Sequence, residues 1–196
     1  IARDSPGEVA ERLALVWAVY EEMKALETAS AAWADRFEID SLSVRLRDGV
    51  YRFDARIEYE FSEAALEALD NGVPLYLDVQ VQLRRDDAWF WEHSLVSRQL
   101  RYMIRFQPLS ELFQFNDLQR EVQQNFATRR AAISALGDLS DLKLITADKL
   151  VQGDEYQVRL RAALDIGALP LPMQPLAYLS PAWELSSDWR SWPLQP

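Results

Sequence analysis

The chain contains no cysteine, one histidine and six glycines among its 196 residues. Without cysteine it can form no disulfide, no thiolate nucleophile and no cysteine-ligated metal site. The single histidine, His93, argues against a zinc site, and Ser94 beside it projects to the opposite face of the same predicted strand, so the two cannot act as a Ser–His pair. The glycines form neither a G-x-G-x-x-G motif nor a Walker loop. We therefore expect no metal and no cofactor.

Basic residues and long apolar runs are also scarce. The chain has 21 Lys and Arg against 31 Asp and Glu, which gives a net charge of −10. A surface of this sign repels phosphates, so nucleic acid is not expected as a partner. No stretch approaches the ~20 apolar residues that a membrane-spanning helix needs. The apolar run over residues 13–20 is flanked by acidic residues, which the core of a signal peptide would not have.

Carboxylates are abundant, but none has the spacing of a calcium-binding loop. Asp138, Asp141 and the pair Asp154-Glu155 stand where turns and helix caps are expected, which are the usual positions of aspartate. The two carboxylates of a glycosidase could nevertheless converge from separate loops, because that chemistry has no fixed sequence spacing. A carboxylate-dependent hydrolase therefore stays open as one alternative function.

Residues 1–34 are predicted to form an amphipathic helix followed by a small-residue linker. Ser5, Pro6 and Glu8 have the pattern of a capping box with proline at the first helical position. Apolar residues then recur every three or four positions, so one face must be buried against the domain, a partner or a membrane surface. The linker over residues 28–34 also has the small-residue spacing of a signal peptidase site. The remaining domain is predicted to span residues 35–196.

From Phe37 onward the apolar period changes to two residues, which is typical of half-buried antiparallel strands. Asp48-Gly49 predicts a tight hairpin turn, and Ser62 and Thr128 are predicted to cap two short helices. Strands are expected over residues 42–46, 51–61, 75–83, 89–95, 100–106, 112–115, 120–126, 143–146 and 156–166. This pattern predicts a mainly β fold, namely an antiparallel β-sandwich or distorted barrel of about eight strands.

The tail from Leu169 onward is rich in proline and tryptophan. Its prolines exclude a central strand, so we expect the tail to cross the sandwich surface and lay Trp183, Trp189 and Trp192 over an open face or edge. The many inward aromatic residues of the predicted strands could leave a cavity between the sheets. A carrier or sensor of an apolar ligand is therefore a further alternative function.

One constellation combines arginine with aromatic residues on neighbouring predicted strands: Arg98, Arg101, Arg105, Trp89 and Trp91. Arg101 and Arg105 share the strand face opposite Tyr102. Such a surface could bind an acidic partner or an anionic head group through charge-assisted hydrogen bonds. The alternative is cross-strand pairing of the arginines with neighbouring carboxylates. These five residues and the three tail tryptophans are the candidate binding residues.

Several segments together resemble a known family. Residues 62–75, SEAALEALDNGVPL, are similar to a hallmark of the proteobacterial family called Domain of Unknown Function 4390 (DUF4390). Further similar segments are the Trp89/Trp91 strand, Arg101-Tyr102, residues 164–166 and 169–172, and the closing Trp183, Trp189 and Trp192. The resemblance covers about Phe37 to Leu194.

This resemblance implies an exported or envelope-facing protein without an assigned activity, located in the periplasm or at the outer face of the inner membrane. Genes of the family often neighbour a membrane sensor histidine kinase, and no catalytic residue comes with the resemblance. The chain departs from the family where the charged helix of residues 5–27 replaces an expected signal peptide. We predict a non-enzymatic, envelope-associated domain that binds a membrane protein partner as an accessory to such a kinase.

Overall fold

The structure, a computed structural model, describes residues 37–86 and 94–196. The helix and linker predicted over residues 1–34 lie outside this part of the chain, as do Trp89, Trp91 and His93. The described residues are mainly β, with nine strands in two antiparallel sheets and three short α-helices. The prediction of an antiparallel sandwich is confirmed, and the described strands form two separate sheets instead of a closed barrel.

The elements follow one another with short connections. The strands are β1 (Phe37–Arg47), β2 (Val50–Tyr59), β3 (Leu75–Arg85), β4 (Val96–Gln107), β5 (Leu112–Asp117), β6 (Val122–Phe126), β7 (Asp138–Thr146), β8 (Tyr156–Leu164) and β9 (Arg190–Leu194). The helices are α1 (Glu63–Asp70), α2 (Arg129–Gly137) and α3 (Gln174–Leu179). The smaller sheet has the order β1-β2-β7, and the larger sheet has the order β6-β5-β4-β3-β8-β9.

The predicted hairpin between β1 and β2 is present. Asp48 and Gly49 have φ values of 52° and 70°, the double left-handed conformation that matches the twist of the two strands. The alternation of β2 then buries one face against the larger sheet, through Tyr51, Phe53, Ala55, Ile57 and Tyr59. The polar face of β2 stays outside, as the sequence pattern predicts.

The core lies between the two sheets. The larger sheet contributes alternate residues of its two central strands, namely Leu75, Leu77, Val79, Val81 and Leu83 of β3 and Tyr156, Val158, Leu160, Ala162 and Leu164 of β8. Burial of each large aliphatic side chain stabilises the fold by roughly 1.5–3 kcal/mol. Strand β3 also pairs with β4, so the burial of one face of β3 fixes which face of β4 points inward.

Strand β7 begins at Asp138, five residues before the predicted start. Phe53 of β2 pairs with Leu142, and Ala55 pairs with Leu139, so Ser140 and Asp141 form a bulge in β7. Asp141 adopts a φ of 52° there. A bulge adds a residue to one strand, so the side chains on its two sides do not follow a single alternation. The alternation in the sequence therefore predicted only the second half of β7.

The tail contains more regular structure than the sequence predicted. Its last residues form β9, an edge strand paired with β8, and Pro193 stands opposite Gln157. A proline is tolerated on an edge strand because one side of that strand has no neighbour, so no N–H donor is needed there. Helix α3, with Pro175 in its first turn, was not predicted either. Trp183 is buried, and Trp192, which lies on the edge strand β9, packs against the core.

Candidate functional site

A cleft opens between the sheets where β7, the edge strand of the smaller sheet, faces β4 and the β5–β6 turn of the larger sheet. We call it the inter-sheet cleft. Its volume is about 440 Å³, within the range of small-molecule binding sites. Its floor is apolar and consists of Phe53, Val81, Leu100, Leu142 and Leu144. The cleft can therefore accept an apolar group of a ligand.

The residues around the floor are predominantly basic. Arg52, Arg98, Arg120 and Lys143 line the cleft together with a single carboxylate, that of Asp141. A local excess of positive charge is notable in a protein whose net charge is −10. It makes the mouth of the cleft attractive to anions although the molecule as a whole repels them.

Two of these arginines connect the sheets, and we call them the arginine clasp. Arg98, from β4, donates to the backbone oxygen of Lys143 at 3.0 Å. Arg120, from the β5–β6 turn, donates to the backbone oxygens of Ser140 at 2.9 Å and Asp141 at 3.1 Å. The clasp thus holds the larger sheet to the edge strand of the smaller one. Neutral carbonyl acceptors satisfy donors of each guanidinium but leave its charge in place.

The bulge in β7 gives Arg120 its acceptors and also holds Arg52. Arg52 donates to the carboxylate of Asp141 at 2.9 Å and to its backbone oxygen at 3.0 Å. The backbone N–H of Asp141 donates to Oδ1 of Asp54 at 2.9 Å. A non-glycine residue with positive φ costs roughly 1–3 kcal/mol, and such strain is concentrated at functional sites. Here the residue with positive φ, Asp141, accepts hydrogen bonds from two of the cations at the cleft, Arg52 and Arg120.

Asp117 positions Arg120. Its Oδ1 atom accepts from the backbone N–H groups of Gln119 at 3.0 Å and Arg120 at 3.1 Å, which closes the turn after β5. Oδ2 of Asp117 lies 3.8 Å from Nε of Arg120. A side chain that bonds to the backbone two and three residues later is a common way for aspartate to fix a turn. The turn therefore directs Arg120 toward β7.

A second cavity of about 260 Å³ lies beyond Arg120, which lines both spaces. Tyr102 and Phe115 line it as a stacked pair, with ring centroids 5.9 Å apart. Burial, and then the charge of Asp117, raise the pKa of Tyr102 above its usual value of 10.0. The phenol is therefore neutral at physiological pH and can act as a hydrogen-bond donor.

The structure does not bring Arg98 together with Arg101 and Arg105. All three lie on β4, but Arg98 is one of the positions that face the smaller sheet, whereas Arg101 and Arg105 lie on the outer face. Arg101 forms ion pairs with Asp165 and, at 3.7 Å, with Asp78. The positive charge of Arg101 is therefore balanced within its own sheet.

The other predicted site residues are dispersed. Arg105 donates to Oε1 of Gln114 at 2.8 Å on the outer face. The ring of Trp189 lies 5.0 Å from the guanidinium of Arg159, a cation–π contact. Trp183 is buried and Trp192 half-buried in the core edge, while Trp89 and Trp91 fall outside the described residues. None of the described tryptophans lines the inter-sheet cleft.

Sequence reasoning missed Arg52, Arg120 and Lys143 as site residues. Arg52 and Lys143 stand opposite each other on paired strands, a register that depends on the bulge in β7. Arg120 lies in a turn, and its acceptors are 20 and 21 residues later in the chain. The only local signal is the turn itself, in which Asp117 precedes Arg120 by three residues.

Within residues 37–86 and 94–196, no three or more His, Asp or Glu side chains are grouped so that they could hold a metal ion. In the same part of the chain, no helix has the length and apolar character required to cross a membrane.

The fold and the site define a class of protein, a two-sheet antiparallel β-sandwich domain with a cleft between its sheets. The profile of the family described as Domain of unknown function (DUF4390) matches residues 34–193 of the chain, so the chain belongs to this family. The resemblance found in the sequence is thereby confirmed. No curated protein and no solved structure matches the chain.

Proposed function

We propose that this chain is a non-enzymatic binding domain that holds an apolar ligand in the inter-sheet cleft. The observation that carries the proposal is the apolar floor of the cleft, formed by buried or nearly buried residues of both sheets. Protein interiors are close-packed and contain few voids larger than a water molecule. A cleft of about 440 Å³ over apolar side chains therefore offers a ligand a space that the close-packed core does not.

The arginine clasp supports the same proposal. It connects the sheets by long polar side chains at a point where apolar residues of β4 and β7 could otherwise meet directly. Leu100 and Leu142 both line the resulting space. Apolar surface left beside an opening favours binding of an apolar group, since each Å² removed from water contributes roughly 25 cal/mol.

Binding of the neutral apolar dye Nile red tests the proposal. A Leu100→Trp variant places a larger side chain in the cleft, and we expect it to lower dye affinity at least tenfold, equivalent to about 1.4 kcal/mol. Leu46→Trp is the matched control, because Leu46 lies on β1, is exposed and does not line the cleft. Dye fluorescence titrations and melting temperatures should be measured for both variants. Equal dye affinity in both folded variants would contradict the proposal.

A second candidate function, the binding of a protein partner, is favoured by one end of the larger sheet. The tail after β8 exposes Leu171, Leu176 and Leu179 by 79%, 73% and 84%. Leu109, in the β4–β5 turn, is fully exposed. It lies at the same end of the larger sheet, because the ends of β4 and β8 both pair with the start of β3. We call this group the leucine end. Large exposed apolar side chains at one end of a sheet are a common feature of interaction surfaces.

The charges of the tail segment that carries Leu171, Leu176 and Leu179 favour a protein over an anionic membrane surface. Residues 162–189 contain no Lys or Arg, and they include Asp165, Glu184 and Asp188. Basic residues would be needed to attract anionic lipids. With the family resemblance, this supports a domain in the periplasm or at the outer face of the inner membrane that contacts a membrane protein, in particular a sensor histidine kinase.

Photo-crosslinking in cells tests the second candidate on the full-length, naturally processed protein. A photoreactive residue in place of Leu176 should give one adduct with a membrane protein, identified by mass spectrometry, and the same residue in place of Leu46 should give none. Identical adducts from both positions, or adducts with lipid alone, would contradict a specific partner at this end.

The hydrolase alternative has less support from the described residues. Asp117 and Asp138 are the carboxylates that line the second cavity. Asp117 is already committed to the β5–β6 turn, and Asp138 forms an ion pair with Arg56. Both carboxylates therefore have structural partners, which favours the roles in turns and caps that the sequence suggested.

A further inference from the structure

We infer that the ligand of the inter-sheet cleft is a long-chain carboxylate, with its aliphatic chain on the apolar floor and its carboxylate at the arginine clasp. The inference rests on the proposed function, because it names the ligand class of the same site. It adds the chemistry of the ligand head group, which the apolar floor alone does not specify.

The charge of the clasp points to an anion. Arg98 has no carboxylate within ion-pairing distance among the described residues, and its hydrogen bond goes to a backbone oxygen. The guanidinium of Arg120 forms an ion pair with Asp117, whose Oδ2 atom lies 3.8 Å from Nε, so within the described part of the chain Arg98 is the clasp residue whose charge has no such partner. A guanidinium has five N–H donors arranged in a fork that fits a carboxylate, and charge-assisted pairs of this kind are roughly twice as strong as neutral hydrogen bonds. Arg98 therefore retains the capacity to bind a carboxylate.

The acceptors of the clasp also argue against a peptide strand as the ligand. A peptide could add to the free edge of β7 only by hydrogen bonding to its exposed backbone groups. The backbone oxygens of Ser140, Asp141 and Lys143 already accept hydrogen bonds from Arg98 and Arg120. The bulge at Ser140 and Asp141 further interrupts the regular spacing that such pairing requires. An aliphatic chain needs no backbone partners.

The composition of the lining agrees with a ligand that has one apolar and one charged part. Sites for small molecules are mostly apolar, with a few polar groups that fix the orientation of the ligand. Here the apolar residues form the floor, and the cations lie where β4, the β5–β6 turn and β7 meet. Since the molecule carries a net charge of −10, a ligand with a single negative charge meets less long-range repulsion than a dianionic phosphate does.

Calorimetric titration with dodecanoate and with dodecanol, below their aggregation concentrations, tests the inference. The two probes share one aliphatic chain and differ in charge. We expect dodecanoate to bind at least tenfold more tightly than dodecanol, and this difference to shrink as salt is added, because the pair at the cleft mouth is partly exposed. The assay uses the whole chain.

Substitution of Arg98 then locates the carboxylate. Arg98→Gln should lower dodecanoate affinity at least tenfold and leave dodecanol affinity unchanged, while Arg98→Lys should restore part of the loss. The matched control is Arg47→Gln, which removes the same charge from an exposed position on β1, at the opposite edge of the smaller sheet. This control should bind both probes as the unmodified protein does. Unchanged dodecanol binding by Arg98→Gln also shows that the variant is folded.

Two outcomes would overturn the inference, and they are distinguishable. If both probes bind equally well and Arg98→Gln has no effect, the cleft binds apolar chains without a carboxylate preference, so the proposed function stands and the inference is wrong. If neither probe binds and Nile red does not bind either, the proposed function is wrong and the inference fails with it.

Discussion

The hydroxyl of Tyr59 is buried between the sheets and has no hydrogen-bond partner among residues 37–86 and 94–196. A buried polar group without a partner costs about 1–3 kcal/mol. We therefore predict that Tyr59→Phe raises the free energy of unfolding by about 1 kcal/mol, measured by urea denaturation. Tyr156→Phe is the control with the opposite sign, because the Tyr156 hydroxyl accepts from the backbone N–H of Val151 at 2.9 Å. Destabilisation by Tyr59→Phe equal to that by Tyr156→Phe would show that the hydroxyl does have a partner.

The same residue predicts how stability changes at alkaline pH. Burial, and then the proximity of Tyr102, raise the pKa of Tyr59 above its usual value of 10.0. The folded protein thus keeps a proton that the unfolded chain loses as the pH rises above about 10, so stability is complete below that pH and falls above it. We expect urea denaturation between about pH 9 and about pH 11 to show a loss approaching 1.4 kcal/mol per pH unit for this tyrosine. In Tyr59→Phe the loss should be smaller, and an unchanged slope would contradict the assignment.

At the scale of elements, the two helix caps that the sequence predicted differ in their further hydrogen bonds. The side-chain oxygens of Ser62 and Thr128 each accept a backbone N–H at 3.2 Å in the first turn of their helix. The Ser62 hydroxyl also donates to the backbone oxygen of Ala182 in the tail at 2.6 Å and is fully buried. Ser62 therefore caps α1 and attaches the tail to it.

These two caps give a matched pair of substitutions. We predict that Thr128→Ala, at an exposed cap, lowers the free energy of unfolding by about 1 kcal/mol. Ser62→Ala should cost about 2 kcal/mol, because it also leaves a half-buried carbonyl, that of Ala182, without its donor. Chemical denaturation of both variants measures the difference. Equal losses would show that the contact with the tail contributes nothing to stability.

Helix α2 approaches β2 so closely that its last residue must be glycine. A Cβ atom added at Gly137 would lie 2.1 Å from the backbone oxygen of Ile57, which cannot move without distorting β2. We predict that Gly137→Ala destabilises the protein by about 3 kcal/mol or more, measured by thermal denaturation. At Gly167 the nearest atoms, at 3.3 Å, are the ends of two side chains, so Gly167→Ala should cost less. A mild effect of Gly137→Ala would mean that α2 can shift away from the sheet.

The sequence predicted best the elements whose pattern depends only on which face is buried or on neighbouring residues. The alternation of β2 and β3 reports directly which side chains face the core, and the caps of α1 and α2 depend only on neighbouring residues. Strand β9 was missed because its proline removes the usual strand signal, and an edge position that tolerates proline is defined only by the assembled sheet.

At the scale of the whole molecule, the site was less predictable than the fold. Arg98 could be singled out as a candidate from its type and neighbours, but its acceptor lies 45 residues later. Membership of the family gives no functional residue. The inter-sheet cleft results from unequal sheet widths, a bulge and a turn, and each of these depends on long-range register, which no local pattern encodes.

Ligand-induced shifts in methyl NMR spectra would test the central claim, that the inter-sheet cleft binds an apolar ligand, most directly. Dodecanoate would be titrated into protein labelled at its leucine and valine methyl groups. We predict shifts concentrated at Val81, Leu100, Leu142 and Leu144, with no change at the exposed Leu176 and Leu179 of the tail. Shifts confined to the leucine end, or an absence of shifts in the cleft at saturating ligand, would contradict the claim.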